Sequence, residues 1–244
     1  MIITPIKTPI IEPGSEDIIT VIDKTVTTLN TRSILVITSK IIAICEGSIA
    51  NLEQSKQKRA KQYADYHTVT KIGNKQHVIT ITNNVIALNA GIDESNVKGF
   101  LVLPPKNPQQ TAKKIRSHLK KRFRLGEVGV VITDSISWPF RRGTMGVAFS
   151  HAGFIGLKKY VGKKDLVGRI HRSTFSNVRD ALAISAVIVM GEGKEQTPMA
   201  IIEDIPFVEF RDNAPTREEI SALSVNQDND FYTPLLKKIN WKES

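Results

Sequence analysis

Val128-Gly129-Val130-Val131-Ile132-Thr133-Asp134-Ser135 is the stretch of sequence that decides the fold. Its uninterrupted apolar part predicts a strand covered on both faces, because a half-exposed strand would alternate apolar and polar residues. The strand delivers Asp134 and Ser135 at its carboxyl end. Ile34-Leu35-Val36-Ile37 is a second run of this kind, and it stops at Thr38-Ser39-Lys40. The sequence therefore predicts two buried strands that are each followed by polar side chains.

Apolar residues spaced three or four apart predict helices around these strands. We expect helices at residues 18–29, 52–66, 111–124 and 179–190, and a C-terminal helix opened by the capping box Thr216-Arg217-Glu218-Glu219. The helix at 111–124 carries a face of cations, namely Lys113, Lys114, Arg116, Lys120, Lys121 and Arg124. Such a face is either solvated or attracts a polyanion, and the pattern leaves both open.

Further strands are predicted at residues 78–88, as a hairpin broken at Asn83-Asn84, and at residues 199–202. Because strands and helices alternate irregularly, the predicted fold class is α+β, or mixed α/β. We expect residues 1–244 to form a single catalytic unit, built as one domain or as two closely packed subdomains.

Composition restricts the possible partners. The chain has 244 residues and a formal net charge of +10, which favours anionic ligands such as nucleotides, phosphorylated cofactors or nucleic acid. With 6% aromatic residues and no known nucleic-acid-binding motif, nucleic acid is the least favoured of these. The single cysteine, Cys45, excludes an internal disulfide and is expected to be a core thiol in a reducing compartment. No signal peptide or apolar run of roughly 20 residues is visible, so we expect a soluble, cytoplasmic protein without a membrane partner.

Three acidic residues are candidate ligands for a hard cation. Asp93 and Glu192 lie in glycine-bearing segments, and Asp134 follows a buried strand. Magnesium and manganese prefer carboxylate and hydroxyl oxygens, and Ser135 adds a hydroxyl beside Asp134. Each acid, taken alone, is also typical of a turn or a cap.

Two segments could contact phosphate. Gly191-Glu192-Gly193-Lys194 and Thr38-Ser39-Lys40 combine a lysine with glycine or hydroxyl residues, although neither matches the P-loop pattern. Arg141 and Arg142, in Trp138-Pro139-Phe140-Arg141-Arg142-Gly143, could clamp a phosphate or carboxylate. The alternative for this last segment is an exposed basic loop.

Five motifs in register resemble the coenzyme F-420-0:L-glutamate ligase family. They are residues 89–97 (NAGIDESNV), Leu103-Pro104-Pro105, Val131-Ile132-Thr133-Asp134-Ser135, Phe140-Arg141-Arg142-Gly143 and Met190-Gly191-Glu192-Gly193, and their order and spacing match from about Pro5 to Ile202.

This resemblance implies a GTP-dependent ligase with an unusual α+β fold and an intertwined homodimer. A divalent cation, Mg²⁺ or Mn²⁺, bridges the nucleotide and the acceptor carboxylate, which becomes an acyl phosphate and is attacked by the amine of L-glutamate. The implied metal positions are Asp93, Asp134, Ser135 and Glu192, with Ser135 standing where the family often has threonine. The implied nucleotide contacts are Pro9, Ile10, Ser39, Lys40, Asn96 and the turn Gly191-Glu192-Gly193. Arg141 and Arg142 are our candidates for holding substrate phosphate or carboxylate.

Departures from the family pattern bear on the acceptor, which the resemblance gives as a folate or the deazaflavin coenzyme F-420. Ala43-Ile44-Cys45-Glu46-Gly47 replaces the usual Ser-Lys-Ala-Glu-Gly, so Ile44 stands where a lysine would face the nucleotide. Pro5-Ile6-Lys7-Thr8-Pro9 also lacks the usual Glu-Gly. These changes resemble a bacterial branch of the family associated with folate metabolism. Two other hypotheses are a polyanion- or nucleotide-binding protein on a degenerate ligase scaffold, and a ligase for an unrelated acceptor.

Overall fold

The structure is a computed structural model, and it describes residues 1–53, 55–82, 85–225 and 227–244. Over these ranges the strands are β1 (Ile2–Ile6), β2 (Ser33–Thr38), β3 (Ile49–Asn51), β4 (Tyr66–Ile72), β5 (Lys75–Thr82), β6 (Val85–Leu88), β7 (Phe100–Val102), β8 (Val128–Ser137), β9 (Thr144–Ala152), β10 (Leu157–Lys159), β11 (Phe175–Asn177), β12 (Met199–Glu203) and β13 (Lys242–Glu243). The helices are α1 (Ile18–Thr25), α2 (Ser39–Cys45), α3 (Lys56–Tyr63), α4 (Pro108–Phe123), α5 (Val178–Met190), α6 (Arg217–Ser221) and α7 (Thr233–Leu236), with short 3₁₀ turns at Asn89–Gly91 and Gln227–Asn229.

The central sheet contains both predicted buried strands as neighbours. Its order is β1-β12-β2-β8-β9, and β2 pairs with β8 in parallel from Ser33 opposite Val128 to Thr38 opposite Thr133. The other neighbouring strands in this sheet are antiparallel. Since β2 and β8 run in the same direction and in register, both end at the same edge of the sheet.

Helices cover both faces of this sheet, which explains the continuous apolar runs. On one face, Leu35 and Val130 pack with apolar residues of α1, α2 and α4. On the other face, Ile34 and Val131 pack with Leu182 and its neighbours on α5. Successive side chains of a strand point to opposite faces, so every residue of such a strand is buried. The mixed α/β class is therefore confirmed.

A second sheet, in the order β13-β4-β5-β6, leads towards the functional region. Strands β5 and β6 form the predicted hairpin pairing, with Thr82 opposite Val85, whereas the predicted turn at Asn83-Asn84 lies outside the described residues. After β6 the chain enters the turn Asn89–Gly91. Ala60 of α3 and Ala90 of this turn share a small apolar cluster.

Several predicted boundaries were wrong. The helix expected at 52–66 is α3, and it ends at Tyr63 because the β-forming residues from Tyr66 onward pair with β5. The helix expected at 18–29 ends at Thr25, since Val26 adopts an extended backbone. The helix α2 and the strand β9 were not predicted. The Thr216 capping box is present as expected and opens α6.

Arg116 corrects the prediction of a uniformly exposed basic face on α4. Its side chain is buried, and its guanidinium donates hydrogen bonds to the carbonyl oxygens of Val128, Arg211 and Asp212 at 2.7 to 3.0 Å. It also pairs with the Asp212 carboxylate at 3.1 Å. This residue therefore ties α4 to the core strand and to the C-terminal segment.

Cys45 lies at the end of α2 and is half-buried against the apolar core. Burial, followed by the nearby carboxylates of Asp17 and Glu16, raises the pKa of its thiol to about 11. A thiol that stays protonated is a poor nucleophile, which agrees with the predicted core position.

Within the described residues, no helix combines the length and the apolarity that crossing a lipid bilayer requires.

The glycine at 153 gives a test of the core packing. Gly153 has φ +91°, and a Cβ there would lie 2.1 Å from the carbonyl oxygen of Val128. We expect Gly153→Ala to lower the free energy of unfolding by at least about 3 kcal/mol, measured by urea denaturation.

The matched control is Gly162→Ala. Gly162 has a similar φ of +84° but no heavy atom within 4 Å of a Cβ, so this change should cost only about 1–2 kcal/mol. Equal losses in the two variants would contradict the packing described here.

Candidate functional site

The site lies at the edge where β2 and β8 end. Thr38, the last residue of β2, accepts a hydrogen bond from the backbone N–H of Lys40 at 3.1 Å and so caps α2. Opposite Thr38 on β8 is Thr133, and Asp134 follows it. The in-register parallel pairing therefore brings Ser39, Lys40 and Asp134 to one place.

Asp134 carries a partly buried carboxylate at the end of this strand pair. Burial raises the pKa of its carboxyl to about 6, against the opposing effect of hydrogen bonds from the Ser135 backbone and the Ser39 side chain. The charge of Asp93 raises the pKa further. The turn Asn89–Gly91 closes over it, since a Cβ at Gly91 would lie 3.5 Å from Asp134 Oδ2. A buried acid with this environment favours a cation beside it.

Asp93 is held ionised by a lysine. Lys40 Nζ lies 2.5 Å from Asp93 Oδ2 and 2.9 Å from Ser95 Oγ, while Oδ1 accepts hydrogen bonds from the backbone N–H groups of Glu94 and Ser95. Burial acts to raise the pKa of the Asp93 carboxyl, but the hydrogen bonds from Lys40 and Ser95 outweigh it and hold the pKa at about 2. The structure therefore joins two predicted site residues directly.

Glu192 belongs to a second set of oxygen atoms on the other side of Asp134. Ser135 Oγ donates to Glu192 Oε1 at 2.6 Å, and Thr144 Oγ1 donates to the same oxygen at 3.3 Å. Two links connect this set with the first set, which consists of the Asp134 and Asp93 carboxylates. Asp134 and Ser135 are consecutive on β8, and Asn96 Nδ2 donates to the carbonyl oxygen of Gly193 at 3.0 Å.

The turn Gly191-Glu192-Gly193 was predicted to offer backbone amides to phosphate. The Gly193 N–H instead donates to Glu195 Oε2 at 2.7 Å. A Cβ at Gly191 would meet the same carboxylate at 2.7 Å. The Glu195 carboxylate, which no sequence pattern indicated, therefore accepts the hydrogen bond of the Gly193 amide. A bound anion would have to displace it.

For the remaining predicted residues, Arg141, Arg142, Pro9 and Ile10, the structure gives no hydrogen bond or ion pair to the site acids among the described residues. Arg141 and Arg142 are exposed on the loop between β8 and β9, and within the described residues neither forms an ion pair. Pro9 and Ile10 are also exposed. They follow Thr8, whose backbone N–H donates to Gln196 at 3.0 Å, close to the turn at Gly193.

The donor set fits a hard cation but does not form a complete cage. In the described part of the chain, no three side chains of His, Cys, Asp and Glu gather closely enough to hold a metal ion. The available atoms are carboxylate and hydroxyl oxygens, the type that Mg²⁺ or Mn²⁺ takes, usually with ligand phosphates and water completing the shell. Asp93, Asp134, Ser135 and Glu192 are the residues that would hold such an ion.

Some contacts of the site escaped the sequence analysis. Ser95 holds Asp93 and Lys40, and Thr144 reaches Glu192 from β9. Ser95 lies two residues after Asp93 in the polar loop at residues 89–97, so its hydroxyl could have been predicted as a contact of that acid. No local sequence pattern indicated Thr144, because its position depends on the pairing of β9 with β8.

Fold and site together define a mixed α/β protein with an acidic, lysine-bordered centre of oxygen ligands at the end of a buried parallel strand pair. Residues 5–204 match the F420-0:Gamma-glutamyl ligase family. The chain belongs to this family.

Known relatives agree with the assignment. The chain is 41% identical over 143 residues to the coenzyme F420:L-glutamate ligase of Methanocaldococcus jannaschii, a match that covers 57% of this chain and 56% of the relative. It is 32% identical over 195 residues to the enzyme of the same name from Methanosarcina mazei, covering 73% and 76%. The Archaeoglobus fulgidus enzyme of that name is 34% identical over 193 residues, covering 70% and 75%. In the first of these alignments the chain spans little more than half of its relative's length.

The buried acid predicts an unusual pH dependence of stability. Between the ordinary pKa of 3.8 and the raised value of about 6, folded Asp134 keeps a proton that the unfolded chain releases. The contribution of this group to the free energy of unfolding therefore falls as the pH rises through that window, by about 3 kcal/mol in total.

Asp134→Asn removes this cost. We expect the variant to be more stable than the unsubstituted protein by about 2–3 kcal/mol at pH 7.5 in chelator-containing buffer, and by only about 1 kcal/mol at pH 4.5. Denaturant titrations at the two pH values measure the difference. A variant that is less stable at pH 7.5 would contradict the account of Asp134.

Proposed function

We propose that this protein is a γ-glutamyl ligase that forms an amide bond between L-glutamate and a carboxylated acceptor of the F420 type, using a nucleoside triphosphate and a divalent cation. The observation that carries the proposal is the buried Asp134 carboxylate beside the Lys40–Asp93 pair, in a chain that belongs to the F420-0:Gamma-glutamyl ligase family. GTP is the nucleotide that the resemblance implies, with Mg²⁺ or Mn²⁺ as the cation.

The reaction class accounts for the residues at the site. The acceptor carboxylate attacks the terminal phosphorus of the nucleotide, whose bond to the leaving diphosphate breaks, and an acyl phosphate forms. The amine of glutamate then attacks the acyl carbon, loses a proton, and expels inorganic phosphate. Both steps accumulate negative charge on oxygen, so they depend on positive charge and on position more than on a protein nucleophile.

Each set of oxygen atoms has a part in this scheme. A bound divalent cation would supply charge neutralisation between phosphate and carboxylate oxygens. Asp134 and Asp93 would hold one side of it, and Ser135 with Glu192 would hold the other. Lys40, released from Asp93 by the cation, would be free to contact phosphate. Pro9, Ile10, Ser39 and Asn96 are the further proposed nucleotide contacts.

The acceptor proposed first is F420-0, because the relatives reported above carry F420 in their names. The folate expectation rested on departures such as Ile44, and no relative named above supports it. The Ile44 side chain is buried in an apolar cluster with Ala43 and Val102, so this position contributes to packing. Folates therefore enter the experiment as competing acceptors.

The test is product formation. The protein is incubated with glutamate, Mg²⁺ or Mn²⁺, each common nucleoside triphosphate, and either F420-0 or a folate, and products are examined by mass spectrometry. We expect a product that is heavier by one glutamyl unit with F420-0 and GTP. Nucleotide binding without any product would instead favour a binding protein on a ligase scaffold.

Asp134→Asn should abolish product formation, with a loss of at least about 10³-fold, because the neutral amide cannot hold the cation. The denaturant titrations described above serve as the control, because a stability equal to or above that of the unsubstituted protein would exclude unfolding as the cause. Full activity in Asp134→Asn would end the assignment of the site.

Ser135 gives a graded test at the adjacent position. Ser135→Thr keeps the hydroxyl and should retain activity within about threefold, whereas Ser135→Ala should lose about 10- to 100-fold. The apparent metal affinity, measured by Mn²⁺ titration, should follow the same order. Equal activity of all three proteins would remove Ser135 from the site.

A homodimer is the proposed assembly. Large apolar side chains are fully or mostly exposed at Leu166, Val167, Phe140 and Ile188, and a partner subunit would cover them. Light scattering after size exclusion should give twice the chain mass of 27.1 kDa. A mass of one chain would contradict the dimer.

A further inference from the structure

The chain has two strongly basic helices, and acids of the described residues pair with more of the cations on α4 than on α3. On α4, Arg122 pairs with Asp23 at 3.0 Å, and Lys114 lies 4.0 Å from Asp17. Arg116 and Lys120 both pair with Asp212. These four cations pair with acids of neighbouring segments, so they hold those segments against α4.

The helix α3 differs from α4 in this respect. Its sequence, KQKRAKQY, contains four cations and no acid. Across the part of the chain that the structure describes, the one ion pair between α3 and an acid joins Lys56 to Glu94, at the limiting distance of 4.0 Å. Lys58, Arg59 and Lys61 form no ion pair with described residues. The helix therefore presents positive charge at Lys58, Arg59 and Lys61 that no acid of the described residues neutralises.

Packing holds α3 beside the acidic centre. Ala60 is fully buried and shares an apolar cluster with Ala90 and Ile92, which flank Gly91. A Cβ at Gly91 would lie 3.5 Å from the Asp134 carboxylate. The partner of Lys56, Glu94, is the residue next to Asp93. The cations of α3 are thus anchored to the loop that carries the site acid Asp93.

Arg59 has a guanidinium nitrogen without a partner and, unlike Arg179 and Arg211, forms no ion pair with a described residue. Its Nε atom is buried from solvent and has no hydrogen-bond partner among the described residues. A buried donor without a partner costs free energy, and more when it belongs to a charged group. A guanidinium satisfies a phosphate or carboxylate with two parallel hydrogen bonds, so an oxyanion is the ligand that fits.

We propose that α3, through Arg59 with Lys56 and Lys58, binds an anionic group of the acceptor, a phosphate or a carboxylate distinct from the carboxylate that is extended. This inference rests on the proposed function, because it assigns the surface to the acceptor of that reaction. The nucleotide, in contrast, is expected at α2 and at the turn 191–193. The acceptor then spans from α3 to the acids, and α3 selects acceptors that carry a second negative charge.

The experiment compares the double variant Lys58→Gln/Arg59→Gln with the control Lys121→Gln/Arg124→Gln at the exposed end of α4, which removes the same charge. Calorimetric titration gives the Kd of F420-0 and of GTP, and steady-state assays give KM and kcat. We expect the α3 variant to raise the Kd and KM for F420-0 about tenfold. Its kcat and its Kd for GTP should stay within about twofold of the wild-type values. A contact that binds the acceptor equally in the ground state and the transition state changes KM and leaves kcat unchanged. The control should leave all four quantities within about twofold.

The outcomes separate this inference from the proposed function. Wild-type protein that binds F420-0 in an α3-dependent way but forms no product would support the surface and reject the ligase. Product formation with an unchanged KM in the α3 variant would reject the surface and leave the ligase standing. Equal weakening by both double variants, or weakened binding of duplex DNA without an effect on F420-0, would also overturn the assignment of α3 to the acceptor. Failure of wild-type protein to bind F420-0 or any folate would overturn it as well.

Discussion

The parallel, in-register pairing of β2 with β8 is the constraint on which the site depends. Two adjacent strands that run in the same direction end at one edge, so the residues that follow them meet there without any special loop. Lys40 and Asp134 come from these two ends. The antiparallel partner β9 then returns along β8 and brings Thr144 opposite Ser137, within reach of Glu192. The chemistry of the centre is thus a consequence of strand direction.

The carboxylates of the centre are not all paired with a cation, and a divalent cation bound together with a phosphate would complete their pairing. Asp134 is partly buried and forms no ion pair with a described residue, whereas Asp93 pairs with Lys40 of α2. A protein optimised for stability alone would replace the buried acid by an amide or an apolar residue. An acid that lowers the stability of the folded protein is typical of a functional site, where its charge is needed when a ligand is bound.

The sequence predicted the core of this arrangement because its signals were local. The two apolar runs, the amphipathic helices and the Thr216 capping box depend on neighbouring residues, and the structure contains all of them. Asp93, Asp134, Ser135 and Glu192 were recognised through motif resemblance, and the structure places them in two linked sets. The strand β9, the role of Thr144 and the burial of Arg116 depend on residues far apart in sequence, so no local pattern revealed them. Whether the acids hold a cation stays a prediction.

Arg116 also bears on where this protein can be divided. The family match ends at residue 204, yet three of the four groups that pair with the Arg116 guanidinium belong to Arg211 and Asp212. A fragment cut at the family boundary would keep the charged side chain in the interior and lose the carbonyl and carboxylate oxygens that compensate it. The residues that follow the matched region are therefore part of the folding unit, and shortened versions made for crystallisation or screening should retain at least residue 212.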